Sequence, residues 1–322
     1  MTTALRRAAV RATLAPSVHN TQPWQLELRP NELTVLADRS RQLQVLDPTE
    51  RQLIISCGCA LFNARVALAA AGVEVAVERL PDPARSNVLA RLVAADVSDG
   101  SVDPIAALDN VIELRTTNRR QFADDDVPAE LIDTVERAAL AEGGRLFVVR
   151  SERHRLAVAR LSQRADALQN SNPGYRAELR AWTTTDLARL DGVPTGAVPH
   201  IDGLAQDEVP IRDFDTSGQG LLPAQTRSSR NQCLLLLGTE GDNPAAWLRA
   251  GEALERILLE ITRQGFAASP LTQVIEVPSA RAMLRSELGL TMSPHLLLRV
   301  GRAASTPATH RRRLVDVLTE TS

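Results

Sequence analysis

Three cysteines serve 322 residues, an odd number with no Cys-x-x-Cys pair. That excludes a disulfide scaffold and a thioredoxin-like redox motif. Reduced thiols in a cytoplasmic protein are the expectation. Cys57-Gly58-Cys59 lies inside the apolar run 53–61, which reads as packing rather than redox chemistry. Aromatic residues make up only 3% of the chain, and the formal net charge is −2. Neither favours a nucleic-acid partner, which needs stacking platforms or a basic field. No uninterrupted run of 18 apolar residues occurs, so no membrane span is expected. Arg6, Arg7 and Arg11 have no long apolar segment behind them, so no secretory signal is expected. The five histidines are scattered and hold no ligand spacing to cysteine or to one another, which leaves no metal site. Dinucleotide, P-loop, nucleophile-elbow and zincin motifs are all missing.

What the chain does have is 44% hydrophobic residues, enough for a sizeable core. It also has a short polar loop, Ala15-Pro16-Ser17-Val18-His19-Asn20-Thr21-Gln22-Pro23-Trp24, between a striped helix and a strand. Pro16 and Pro23 stiffen both ends. Ser17, His19, Asn20 and Gln22 then project a mixture of donors and acceptors suited to the edge of a flat heterocycle. Ordinary helix-to-strand turn chemistry is the competing reading.

The periodicity predicts helices over 3–14, 53–71, 105–113, 129–141, 151–169, 244–264 and about 279–287. It predicts strands over 24–29, 32–37, 73–77, 88–97, 145–150, 232–237 and 296–300. Asp47 is the expected N-cap of the second helix, with Pro48 as its first residue and Glu50 completing a capping box. Residues 170–228, rich in proline and glycine, read as a long irregular section, more often a lid than a passive connection.

The chain also repeats itself. Gly58-x-Ala60-Leu61, Arg65 and Gly72 line up with Gly251-x-Ala253-Leu254, Leu258 and Gly265. Upstream, Val10-Arg11-Ala12-Thr13-Leu14-Ala15 matches Glu136-Arg137-Ala138-Ala139-Leu140-Ala141. Two unlike halves, 1–104 and 105–322, suggest a fused pseudo-dimer.

Ser17-x-x-Asn20-x-Gln22-Pro23-Trp24 resembles the Ser-x-x-Asn-x-Gln-Pro-Trp loop of the nitroreductase superfamily of FMN enzymes. Pro16, His19, Asp47-Pro48, Ile55-Ser56-Cys57-Gly58 and Thr117-Asn118-Arg119-Arg120 extend the resemblance to its Acg-type branch, in order along nearly the whole chain. The resemblance implies an α+β nitroreductase-like fold, here a single-chain pseudo-dimer of two mixed sheet/helix halves with a lid insertion. It implies FMN, whose phosphate would pair with Arg115 and Arg119, with Thr117 and Asn118 in the same segment and Arg311, Arg312 or Arg313 from the tail. The ring would meet Ser17, His19, Asn20 and Gln22, with Pro270 and Leu271 beside it. Thr272 and Gln273 stand where the family often has glutamate and glycine.

Only the first half carries the ring-contacting loop, and only the second carries the Arg-Thr-Thr-Asn-Arg segment. One flavin per chain is therefore expected, in a monomer that behaves as a fused homodimer. The implied function is NAD(P)H-dependent reduction of small aromatic, nitro or quinone-like acceptors, with no side chain required as a catalyst. The alternative is a flavin-storing protein whose lid stays shut.

Overall fold

The computed structural model describes residues 1–95, 103–186, 188–200, 209–216, 220–223 and 232–321. Helix α1 (Thr2–Thr13) buries Leu5, Ala8, Ala9 and Ala12 on one stripe and delivers the chain into the polar loop. Strand β1 (Trp24–Arg29) alternates buried and half-exposed residues and pairs antiparallel with β2 (Glu32–Ala37). Helix α2 (Arg51–Ala70) is buried along nearly its whole length. It is long and apolar enough to span a bilayer by composition. Here α1, α6 and the sheet cover it, which is why a core helix passes that test.

The first sheet has the order β11-β1-β2-β4-β3, with β3 (Val75–Arg79), β4 (Val88–Ala94) and β11 (Leu318–Glu320). The chain then passes a 3₁₀ turn, Pro104–Val111, and enters α3 (Ala129–Ala141), β5 (Arg145–Val148), α4 (Glu152–Asn170) and α5 (Pro173–Ala181). β6 (Thr183–Thr184) and β7 (Val193–Pro194) form a short parallel ladder. β8 (Cys233–Thr239), α6 (Pro244–Arg263), β9 (Ala267–Pro270), α7 (Gln273–Glu276), α8 (Pro278–Glu287) and β10 (Ser293–Gly301) follow. The second sheet is β5-β8-β10-β9, antiparallel throughout.

Two features tie the sheets together. First, α2 and α6 cross at Gly58 and Gly251. A methyl on Gly58 would lie 2.2 Å from the Leu248 carbonyl oxygen, and one on Gly251 would lie 2.1 Å from that of Ile55. The two glycines that align in the sequence repeat are thus the point of closest approach. Second, the chain ends cross over. β11 pairs in parallel with β1, Leu26 opposite Leu318. The segment following the 3₁₀ turn attaches to the other sheet, with Thr117 bridged in parallel to Ala268 and the Asn118 amide donating to the Ala268 carbonyl at 3.0 Å.

Several local expectations are corrected. α2 starts at Arg51, and Glu50 adopts a left-handed conformation (φ 63°) with no capping hydrogen bond; its carboxylate pairs with Arg39 at 2.7 Å. Asp47 stays outside the helix, yet its Oδ2 accepts from the Leu53 amide at 2.9 Å and satisfies a first-turn donor from there. The 105–113 segment winds as a 3₁₀ helix capped by Asp103. The third strand lies two residues later than expected, the fifth ends at Val148, and β4 ends at Ala94. Residues 96–97 lie outside the described residues.

Section 170–228 is less irregular than its composition suggests. Asn172 accepts from Gly174 and Tyr175 to cap α5, whose Tyr175 and Leu179 are buried with Leu43, Leu46, Val193, Val198 and Phe214. A nine-residue helix whose apolar partners lie on other segments leaves little periodicity to read.

Candidate functional site

The loop after α1 is held in a conformation that side chains rarely adopt. His19, Asn20 and Gln22 all have positive φ, at 47°, 54° and 50°. Such geometry persists only where the surroundings over-determine it. Here they do. Ser17 Oγ accepts from the Gln22 amide at 2.9 Å, and the Val18 amide donates to Ser56 Oγ on α2 at 3.2 Å. Asn20 Nδ2 donates to the carbonyls of Gly192 (2.9 Å) and His310 (3.2 Å), while its Oδ1 accepts from Arg311 at 3.2 Å. Gln22 donates to the Leu190 carbonyl at 2.8 Å and accepts from the Arg312 amide at 2.7 Å. The C-terminal tail and residues 190–192 therefore grip the loop from two sides.

Two pockets open beneath it. One is largely apolar, walled by Ile55, Leu254, Leu258, Phe214 and Pro270, with His19 projecting into it. The other is basic, lined by Arg115, Arg311, Asn20 and Thr116. Pro16, Ser17, Thr117 and Arg119 belong to both walls, so the two join. The chain contains no lysine, so every strong side-chain cation here is a guanidinium, suited to forked recognition of oxyanions.

The electrostatics are those of a site prepared for an anion. Burial, reinforced by Arg212, lowers Arg119 to about 10. Burial, reinforced by Arg115 and opposed by Glu255, lowers Arg311 to about 9. Burial first, then Arg212 and Arg119, keeps the His19 imidazole neutral far below its ordinary value. Glu255 on α6 is fully buried 3.7 Å from Arg115 Nε. Burial raises it to about 7 against the pull of Arg115. Both ring nitrogens of His19, Arg115 Nε, Arg119 Nη1 and Arg311 Nε are buried without a hydrogen-bond partner among the described residues. Orphaned donors so concentrated are costly unless a ligand satisfies them.

Ser17, His19, Asn20, Arg115, Thr117, Arg119, Pro270 and Arg311 line these pockets. Four other expected site residues do not, and their side chains brace neighbouring segments instead. Asn118 spends its amide on the Ala304 carbonyl (2.8 Å) and its oxygen on the Arg120 amide (2.9 Å). Gln22 is committed to Leu190 and Arg312 as above. Leu271 is buried in the second apolar core with Val274 and Leu297. Arg312 turns to the carbonyls of Gln22 and Asp316. Among the three tail arginines, only Arg311 enters the pocket; Arg313 pairs with Asp316 at 2.9 Å.

Sequence reasoning missed Arg212, Phe214 and Glu255. Arg212 is buried, pairs with Glu276 at 2.6 Å and donates to Thr272 at 3.0 Å. Phe214 meets His19 edge-on at 5.3 Å and lies under Arg119 at 4.9 Å. Both come from the proline-rich section, where pattern carries little information. Glu255 had a signal: it is a carboxylate on the buried stripe of an amphipathic helix.

No family model matches the chain. A Mycobacterium tuberculosis H37Rv protein named "Putative NAD(P)H nitroreductase" is 34% identical over 325 residues, spanning 98% of this chain and 90% of that protein. Its relative named "Putative NAD(P)H nitroreductase acg", from the same strain, is 32% identical over 330 residues, 98% of this chain and 96% of that one. Among solved structures, a nitroreductase with bound FMN from Desulfitobacterium hafniense matches with a TM-score of 0.42 at 13% identity, covering 65% of this chain and 95% of that one. The FMN-dependent nitroreductase NfnB from Mycobacterium smegmatis, solved in complex with NADPH, gives 0.39 at 17% identity over 68% of this chain and 100% of that one. The chain belongs to the nitroreductase family, in its Acg-type branch.

Proposed function

We propose that this chain is a cytoplasmic flavoprotein that holds one FMN in the joined pockets and serves as an NAD(P)H-dependent oxidoreductase for small aromatic, nitro or quinone-like acceptors. The observation that carries this reading is the shared wall. Ser17 from the first half shares a wall with Thr117 and Arg119 between an apolar slot and a basic slot. The names carried by its relatives support the reductase class.

Bound FMN would supply reversible hydride acceptance. The chain's residues would do the rest. Arg115, Arg311 and the Thr117 hydroxyl would hold the phosphate. Arg119, with its Nη1 unpartnered among the described residues, would place positive charge where the two pockets meet. Ile55, Leu254 and Leu258 would keep water from the ring. Ser17 and neutral His19 would meet its polar edge, with Asn20 on the wall of the basic slot.

The two halves, 1–104 and 105–322, would form a pseudo-dimer with one functional site. In the sequence repeat, pocket residues Pro16, Cys59 and Leu258 correspond to Glu142, Glu252 and Arg65. Those three side chains join one ion-pair network: Arg65 meets Glu142 at 2.5 Å and Glu252 at 2.8 Å, and Arg79 and Arg256 close it at 2.7 Å each. The second position would thus be filled by salt bridges. A flavin-to-protein ratio near one is expected from absorbance; a ratio near two would contradict the asymmetry.

A second reading, FMN storage without turnover, is favoured by one observation. Ile211, Arg212 and Phe214 of the expected lid already line the ring pocket, and Arg212 is anchored to Glu276 and Tyr175. Stopped-flow reduction by NADPH separates the two. Rapid bleaching of the intact holoprotein would remove storage. If F214A is reduced at least about ten-fold faster than the intact chain, cover over the ring limits turnover. If neither form is reduced, the oxidoreductase reading fails.

A further inference from the structure

Among the described residues Glu255 is the one carboxylate ion-paired with an arginine of the basic pocket, Arg115, and it is absent from the pocket's lining. Its side chain is wholly buried, and its Oε1 lies 3.7 Å from Arg115 Nε. Arg115 is itself nearly sealed from solvent. The other groups that face Glu255 are few. From the tail comes Arg311, attracted at longer range; from α2 come neutral Asn63 and the Cys59 thiol, whose ionisation burial already suppresses. Arg11 of α1, whose carbonyl accepts from Asn63, turns its guanidinium to Asp109 at 3.3 Å instead. Glu255 therefore answers first to Arg115, then to the Asn63 amide and to Arg311.

We propose that Glu255 is the internal counter-charge of the basic pocket, and that it takes up one proton when a phosphate dianion binds Arg115 and Arg311. The inference rests on the assignment of this pocket to a phosphate. The local charge balance favours it. Glu113 on the pocket wall is paired with Arg11, and Arg119 stands on the wall shared with the apolar pocket. Arg115, Arg311 and Glu255 carry +1 among themselves; a dianion seated on the two guanidinium ions brings that trio to −1 in a buried environment. A proton from water added to a Glu255 oxygen restores neutrality, where an unmatched buried charge is most costly.

The sign follows by linkage. In the free chain Glu255 titrates at about 7. A bound dianion raises that value further. Below about pH 7 Glu255 is protonated in both forms, and binding is independent of its titration. Above it, binding takes up a proton, so affinity falls as pH rises, by at most about ten-fold per pH unit. The phosphate's own second ionisation, near pH 6, is largely complete across this window.

The test is titration calorimetry of the apoprotein with FMN, riboflavin and inorganic phosphate, in buffers of different ionisation enthalpy. FMN Kd is followed from about pH 7 to about pH 8, below the range in which Arg311 titrates. At about pH 8 the wild-type chain should take up close to one proton with FMN, the same with inorganic phosphate once the proton released by its own ionisation at about pH 7 is added back, and none with riboflavin. E255Q should take up none, and its FMN affinity should vary less than about two-fold over the range in which the wild type weakens. No uptake in the wild type, or equal uptake in E255Q, overturns the proposal. If E255Q does not fold, E255D carries the test: its lower intrinsic pKa should move the pH midpoint down, and an unmoved midpoint overturns it. Proton-coupled phosphate binding without FMN binding would uphold Glu255 and defeat the FMN reading. FMN binding without proton uptake would do the reverse.

Discussion

R115A is expected to weaken FMN binding by at least about a hundred-fold, roughly 3 kcal/mol, with the chain still folded. Arg115 is buried, lines the basic pocket and has no hydrogen-bond partner for its Nε among the described residues. A charge-assisted contact to a phosphate contributes about 1.5–3 kcal/mol, and a forked one reaches the top of that range. Removing the guanidinium also leaves Glu255 facing the phosphate without its cation. The matched control is R312A. Arg312 braces the Gln22 and Asp316 carbonyls and lines neither pocket, so its loss should change FMN affinity by less than about three-fold. Fluorescence titration of FMN into both apoproteins, with circular dichroism to check folding, decides the matter. Equal losses in the two variants would mean that the tail arginines and Arg115 act only through the fold.

The second large effect belongs to the helix crossing. G58A is expected to destabilise the chain by about 3 kcal/mol or more, lowering Tm by roughly 4 °C or more. The added methyl would sit 2.2 Å from the Leu248 carbonyl oxygen and 2.9 Å from the Gly251 Cα, and neither backbone atom can rotate away. α2 and α6 would have to separate, and both carry pocket walls: Ile55 and Cys59 on one, Leu254 and Leu258 on the other. G251A should behave alike, because its methyl meets the Ile55 carbonyl at 2.1 Å. The double variant should cost less than the sum, since one separation relieves both clashes. Gly72 and Gly265 provide the contrast. Each ends its helix at positive φ, 69° and 75°, with nothing within 4 Å of an added Cβ. Alanine there should cost only about 1 kcal/mol, the strain of the left-handed backbone alone. A thermal-denaturation series over the four positions tests the crossing; similar losses at all four would refute it.

The same glycines show how far a linear reading reaches. Their alignment in the repeat was visible from spacing, because each opens an equal helical interval closed by a C-terminal glycine. Their meeting in space was not, since a one-dimensional pattern carries no interaxial distance. The capping of α2 shows the reverse. Asp47-Pro48-Thr49-Glu50 has the composition of a capping box, yet the chain uses Asp47 from farther out and turns Glu50 toward Arg39. Local preferences of about 1 kcal/mol are readily overridden by such tertiary partners.

The sequence by itself determined the local chemistry: a rigid donor-rich loop at 16–23, an arginine segment at 115–119, amphipathic stripes that name the core, and a repeated glycine-to-glycine helical interval. Those properties depend on neighbours within a few residues, where spacing dictates which side chains share a face. Only the tertiary structure decided that Arg311, not Arg312 or Arg313, enters the pocket. Only it brought Arg212 and Phe214 over the ring slot and set Glu255 behind Arg115. Each of these joins segments far apart in the chain, where direction and burial are decided by packing that periodicity does not encode.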